Sequence, residues 1–259
     1  MKLTFSKYQG TGNDFVILDN RDGRYSSLTK EQVAFICNRH FGIGADGMMM
    51  LQLKDGYDFE MIYYNADGAE GSMCGNGGRC LVAFAKALGL ITNKAQFIAT
   101  DGPHEATIDE TNVVELKMKD VSTIEKHEDH VILNTGSPHY IKWVKTTKEI
   151  NVFDKGRAIR YNEKFGNAGI NVNFVAVQPG AIEVRTYERG VEDETLSCGT
   201  GVTASAIAAF AYATEPQNIS VQTSGGTLSV KFNPVGNSKF EDVWLCGPAS
   251  FVFQGTINL

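Results

Sequence analysis

Met73-Cys74-Gly75-Asn76-Gly77-Gly78-Arg79-Cys80 leads without a break into the run Leu81 to Leu90, in which Lys86 is the only polar side chain. A thiol, a glycine-rich turn and a buried apolar helix ended by Gly89 are what this order of residues predicts. The N-terminus of a helix offers unpaired N–H groups and the positive end of its dipole, so a cysteine there ionises more readily and a nearby carboxylate is held. Glycines at such a mouth keep side chains out of a ligand's way.

The same device recurs once. Ser197-Cys198-Gly199-Thr200-Gly201 precedes a second helix-like run, Val202 to Ala213, and Cys198 lies 124 residues after Cys74. At that offset Thr11-Gly12 falls on Thr135-Gly136, Ile17 on Ile141, Tyr63 on Tyr187, Glu70 on Glu194 and Gly102 on Gly226. Identity is thin but the register holds without a gap, which predicts an internal duplication with one thiol at one helix mouth in each half. The expected fold class is therefore mixed α/β (α+β): two pseudo-symmetric lobes, each a curled, mostly antiparallel sheet around a central apolar helix, with the two helix mouths facing one cleft. The lobes are expected at residues 1–120 and 121–249. A surplus strand at the end, within 250–259, is expected to return to the first sheet.

The 259 residues suit two lobes of ordinary size. A net charge of −6 argues against a phosphate-backbone ligand, so no nucleic-acid partner is expected. The first fifteen residues carry no apolar signal core and the apolar runs are short of a membrane span, which predicts a soluble cytoplasmic protein. Five cysteines, odd in number and without a secreted spacing, read as reduced thiols.

Along the chain, Leu3 to Tyr8 and Phe15 to Leu18 read as strands around the turn Gly10 to Asp14, and Leu28 to Asn38 as a helix capped by Thr29. Gly42-x-Gly44-x-x-Gly47 matches the dinucleotide fingerprint by letter, yet Met48 to Leu53 after it reads as a strand where the motif requires a helix. Val121 to His130 is charged and reads as a connection between lobes, and Asn151 to Tyr161 as a helical or irregular piece.

Cys37, Cys80 and Cys246 sit in apolar contexts and read as small buried hydrophobes. Cys74 and Cys198 both precede Gly-x-Gly at equivalent points of the repeat. No His or further Cys completes a zinc set, so no metal is expected, and no Cys-x-x-Cys marks a redox module. Acid–base chemistry remains: with an amino acid held by its carboxylate, one thiolate removes the α-proton while the other thiol protonates the opposite face. Helix-end N–H groups stabilise the growing enediolate charge, and no pyridoxal-type cofactor is needed. A non-catalytic anion-binding or thiol-redox module is the alternative from another class.

Gly10 to Phe15, Tyr64 to Gly68, Met73 to Cys80, Gly136-Ser137-Pro138-His139 and Glu188-Arg189-Gly190 through Gly201 resemble, in order, the successive motifs of the diaminopimelate epimerases. The resemblance implies a cofactor-independent homodimeric isomerase that interconverts LL- and meso-diaminopimelate in lysine and peptidoglycan-precursor biosynthesis. Carried over by position, Cys74 and Cys198 are the base and acid pair, and Gly75, Asn76, Gly199 and Thr200 hold the reacting α-carboxylate. Asn13, Asn65, Asn171, Glu188 and Arg189 read the far end of the substrate, with His139 in a supporting place. Two positions depart from the pattern: Ser137 stands where many members have Asn, and Gly47 where some have Gln. The related proline and hydroxyproline racemases carry His-Gly-Thr after the first Cys-Gly, unlike Asn76-Gly77-Gly78, and an imino acid gives Arg189 no partner.

Overall fold

The apolar run after Cys74 is a helix buried continuously from Gly75 to Ala85, and the computed structural model, which describes residues 1–213, 217–236 and 238–259, shows what covers it. The chain divides into two compact units, Met1–Leu116 with Gly247–Leu259, and Lys117–Cys246. In chain order the elements of the first half are β1 (Lys2–Gly10), β2 (Asn13–Asp19), α1 (Lys30–Cys37), β3 (Gly47–Gln52), β4 (Phe59–Asn65), α2 (Gly75–Ala87), β5 (Lys94–Ala99), β6 (Gly102–Ile108) and β7 (Val113–Lys117). Then follow β8 (Ile124–Lys126), β9 (His130–Asn134), β10 (Pro138–Trp143), α3 (Val152–Arg160), β11 (Asn171–Gln178), β12 (Ala181–Glu188), β13 (Asp193–Thr195), α4 (Gly199–Ala213), β14 (Asn218–Thr223), β15 (Gly226–Val235), β16 (Lys239–Pro248) and β17 (Ser250–Asn258).

In the first unit β17 pairs with β1, β1 with β2, β3 with β4, β5 with β6 and β6 with β7, all antiparallel, while β2–β3 and β4–β5 are parallel. These strands curl around α2, which touches β1, β2, β3, β4, β6 and β17. Burying Leu81, Val82 and Phe84 on a helix with no solvent face contributes about 1.5–3 kcal/mol each. Gly89, at φ +72°, ends α2: its N–H reaches Lys86 O and that of Leu90 reaches Ala85 O, both at 3.0 Å.

The second unit repeats the pattern pair by pair. β8–β9, β9–β10, β11–β12, β14–β15 and β15–β16 are antiparallel, β10–β11 and β12–β14 parallel. Its helix α4 touches β9, β10, β11, β12, β14 and β15. The duplication read from the cysteine spacing is thus present in the order and sense of the strands. It also accounts for β17, which lies beside β1 as β8 lies beside β9.

One local reading changes and two are filled in. The charged stretch Val121 to His130 is not a bare connection, because Ile124–Lys126 pairs with Leu133, Ile132 and Val131 as a strand. Short β13, with no apolar alternation to betray it, pairs with β12. The piece around Asn151 to Tyr161 is the helix α3, capped by Asn151 Oδ1 on the Asp154 N–H at 3.1 Å. The glycine fingerprint at 42–47 has α1 before it and β3 after it. A Cβ at Gly42 would lie 1.9 Å from Phe35 O, so this glycine lets the chain turn back across the end of α1.

Helix α3 packs onto β12 through Gly156, where a Cβ would lie 2.4 Å from that of Tyr187. Gly156→Ala is expected to push the helix off the sheet and to cost about 1–3 kcal/mol despite its better helix propensity. Urea unfolding with equal or raised stability in this variant would show the contact to be slack.

Candidate active site

The first helix mouth is built from β2, the loop before β3 and α2. Cys74 is the N-cap of α2, with extended backbone and no side-chain cap, and its carbonyl accepts the first helical bond from Gly78 N–H at 2.7 Å. The N–H groups of Gly75, Asn76 and Gly77 have no acceptor within the helix, as at any helix start. Cys74 Sγ donates to Asn13 Oδ1 at 3.6 Å, and Asn76 Nδ2 donates to the same oxygen at 3.3 Å. Below the mouth the wholly buried Arg79 donates to Gly75 O at 3.5 Å and to Thr11 Oγ1 at 3.3 Å.

The second mouth uses the same backbone with different side chains. Cys198 is buried, its sulfur 3.5 Å from Thr200 Oγ1, and its carbonyl accepts from Val202 N–H at 2.8 Å. Thr203 Oγ1 donates to Gly199 O at 2.9 Å, in the place where Arg79 donates to Gly75 O, and Thr135 Oγ1, the repeat of Thr11, donates to Thr200 O at 2.8 Å. Behind it His139 is fully buried. Burial, and then the Arg189 guanidinium, push His139 down to about 3, so the imidazole is neutral across the physiological range. Its Nδ1 accepts from Asn173 Nδ2 at 3.1 Å, which leaves the proton on a buried Nε2 that has no hydrogen-bond partner among the described residues. Asn173 Oδ1 accepts from Thr186 Oγ1 at 2.9 Å.

Asn171, Ser137 and Arg189 form one cluster. Asn171 Nδ2 and Arg189 Nη2 both donate to Ser137 Oγ, at 2.8 and 3.2 Å, and Asn171 Oδ1 accepts the Arg189 backbone N–H at 2.9 Å. Glu188 Oε2 accepts from Thr195 Oγ1 at 2.8 Å. The structure holds Ser137 as the joint between Asn171 and Arg189. At Gly47 a Cβ would lie 2.7 Å from the Tyr63 ring, so the aromatic occupies the room a longer side chain would need.

The diaminopimelate epimerase family model matches residues 5–124 and 131–252. A diaminopimelate epimerase of Flavobacterium psychrophilum is 51% identical over 253 residues, covering 97% of this chain and 98% of that protein. The chain belongs to the diaminopimelate epimerase family. A further member from Chlorobaculum tepidum is 41% identical across 96% of this chain and 99% of its own length. Among solved structures, a PhzF-family phenazine biosynthesis protein of Bacillus anthracis superposes with a TM-score of 0.77 at 14% identity, covering 100% of both chains. A hydroxyproline epimerase of Agrobacterium vitis does so with a TM-score of 0.71 at 14% identity, covering 99% of this chain and 91% of its own. At that identity they share the fold.

Within this epimerase-family chain, the structure brings Asn13, Cys74 and Asn76 together at one mouth, and Asn171, Arg189 and Ser137 together in the second unit. Asn13, expected at the far end of the substrate, lies within hydrogen-bond distance of the Cys74 thiol. Asn65 stands exposed at the end of β4, in register with Gly47. The sequence reading missed Lys7, Arg39, Asp46, Arg79 and Asn173. Lys7 had a signal, since it follows Leu3 and Phe5 on the inward positions of β1. Cys37 and Cys80 are pushed up to about 12, first by burial, as inert core thiols should be.

Asp14 joins the first mouth to the core: Lys7 Nζ lies 2.6 Å from Oδ2 and Arg39 Nη2 2.7 Å from Oδ1. Burial would push this carboxyl up, but Arg39 and Lys7 outweigh it and hold it at about 2 against an ordinary 3.8. A folded-state value below the unfolded one stabilises above about pH 4, and that contribution is lost as pH falls through 2. Asp14→Asn is therefore expected to lose on the order of 1–2 kcal/mol near neutral pH, with the gap to the parent protein closing below pH 4. A gap independent of pH in urea titrations would remove the ion pairs as its cause.

Proposed function

We propose that this chain interconverts LL- and meso-diaminopimelate by proton transfer between Cys74 and Cys198, with no cofactor. The observation that carries the reading is the pair of thiols at repeat-equivalent mouths of two buried helices, in a chain of this family. One thiolate takes the α-proton and the other thiol returns a proton to the opposite face. The N–H groups of Gly75, Asn76, Gly199 and Thr200 hold the α-carboxylate and take up charge as the enediolate forms. Asn13 serves the reacting end, since it touches Cys74 and Asn76. Asn65, Asn171, Glu188 and Arg189 read the distal amino acid group, with Ser137 Oγ a further partner. A guanidinium with amide neighbours suits a fixed zwitterion. Neutral His139 supports the second mouth as a packed hydrogen-bonding group and carries no positive charge. The protein works as a cytoplasmic homodimer; no helix among the described residues is long and apolar enough to cross a membrane.

Incubation of the purified protein with LL-diaminopimelate in D2O tests this directly: meso isomer should accumulate with one solvent deuterium at the inverted centre. Isomerisation without exchange, or exchange that needs added pyridoxal phosphate, would overturn it. Cys74→Ser and Cys198→Ser should each cost at least about 10² to 10⁴-fold, because a serine hydroxyl is a poor base at neutral pH. They should retain α-hydrogen exchange from opposite diastereomers. Equal isomer preference in both variants would mean one base serves both faces. Arg189→Ala should lower kcat/KM by a factor equivalent to about 1.5–3 kcal/mol, and unchanged kinetics would remove Arg189 from the site.

A further inference from the structure

Asp46 has no part in the proposed chemistry, yet it holds the Asn13 side chain, whose oxygen meets the Cys74 thiol. Asn13 Nδ2 donates to Asp46 Oδ2 at 2.7 Å, and the Asp14 backbone N–H donates to the same oxygen at 3.1 Å. Arg39 Nη2 donates to the other oxygen, Oδ1, at 2.6 Å, and also to Asp14 Oδ1 at 2.7 Å. A carboxylate only accepts, so the end of the Asn13 amide that faces Asp46 must be the NH2 group. The opposite end is then Oδ1, itself an acceptor, and it lies 3.6 Å from Cys74 Sγ and 3.3 Å from Asn76 Nδ2. The chemistry of the neighbours, on both sides of the amide, fixes which way it points.

We propose that Asp46 is a positioning residue for the epimerisation: braced by Arg39, it locks the Asn13 amide with its oxygen toward Cys74, so that the Cys74 sulfur keeps its proton until substrate arrives. An amide turned the other way would offer N–H to the sulfur and favour the thiolate. Cys198 meets a different neighbour, the Thr200 hydroxyl, which donates or accepts with equal ease. The two thiols therefore begin the reaction in unequal surroundings. Asn13 Oδ1 is also an acceptor for an ammonium group, so the α-amino group of a substrate can replace the thiol at that oxygen and release it. The proposal rests on Cys74 being one of the two acid–base thiols.

The charged and titratable groups around Cys74 in its unit are Cys80 and Arg79 on α2, Asp14 at the head of β2, Lys7 on β1, and Arg39 with Asp46 behind the Asn13 amide. Only Asp46 changes in Asp46→Asn, a near-isosteric swap that gives Asn13 a partner able to donate, and so frees its amide to turn. The experiment follows iodoacetamide alkylation of Cys74 against pH by peptide mapping in the substrate-free protein, with Cys198 mapped in the same digests. In Asp46→Asn the Cys74 midpoint should move down by about half a pH unit or more, while that of Cys198 stays. Losing a negative charge would by itself act in the same direction, so the substitution is repeated in an Asn13→Ala background. There the shift should shrink to the smaller part that the lost charge gives alone, if the amide transmits the rest. A shift of undiminished size without Asn13, or no shift in the single variant, overturns the proposal. If Asp46→Asn does not fold, Arg39→Lys, which loosens the brace from an exposed position, should give a smaller shift of the same sign, and no shift there counts equally against it. Epimerase activity is read separately: kcat/KM should fall roughly tenfold or more in Asp46→Asn. A protein that shows the alkylation shift but never epimerises diaminopimelate would leave the amide lock standing and refute the proposed function.

Discussion

A helix buried among strands must still do something with its first N–H groups, which no residue of the helix can accept. In α2 and α4 that constraint is met by leaving the mouth small, with Gly75 and Gly77 at one and Gly199 and Gly201 at the other, and by placing a cysteine immediately before. The apolar bodies fix the helices in their sheets, so the donors stay aimed while a ligand comes and goes. In the proposed function, anion binding and a reactive thiol would thus follow from the same feature that stabilises each unit. The cost is a tight fit: a Cβ at Gly201 would lie 2.4 Å from Asn173 Oδ1, so even one methyl group would disturb the amide that holds His139.

Duplication made most of the fold legible. The strand pairs of the first unit have counterparts of the same sense in the second, parallel pairs matching parallel pairs, and β2–β3 maps onto β10–β11 residue for residue at the cysteine offset. The binding positions share that register: Asn13 falls on Ser137, Gly47 on Asn171, Asn65 on Arg189 and Asn76 on Thr200. Repetition preserved where side chains start and let their chemistry diverge. This explains the two departures from the family pattern in physical terms. At Ser137 a shorter side chain still bridges Asn171 and Arg189, and at Gly47 the Tyr63 ring fills the room.

What stayed illegible was short in sequence or long in reach. Ile124–Lys126 and Asp193–Thr195 are three-residue strands, too brief for a period of two to register. Arg39 and Asp46 sit in a stretch whose glycines drew the eye to a nucleotide motif, and their partners Asn13 and Asp14 lie more than 20 residues away. Arg79 was given no role within its motif, yet buried it ties the Thr11 turn to the first carbonyl of α2. Spacing identifies a mouth; only the contacts tell which polar residues hold it in shape.

Those contacts also break the symmetry that duplication imposed. Two identical thiols at two identical helix starts would share one proton affinity, and an acid–base pair needs a donor and an acceptor at the same time. The helix dipoles cannot supply the difference because both act alike on the residue before the first turn. The difference has to come from side chains that the two halves do not share. Asn13 against Ser137 and Asn76 against Thr200 are such pairs, and they are the residues in contact with, or equivalent to those in contact with, the two sulfurs. Around Cys74 an amide oxygen set by an anion accepts; around Cys198 a hydroxyl is free to do either. It is at these positions, beside the sulfurs, that unlike halves serve the proposed acid–base pair, because identical neighbours there would give both thiols one proton affinity.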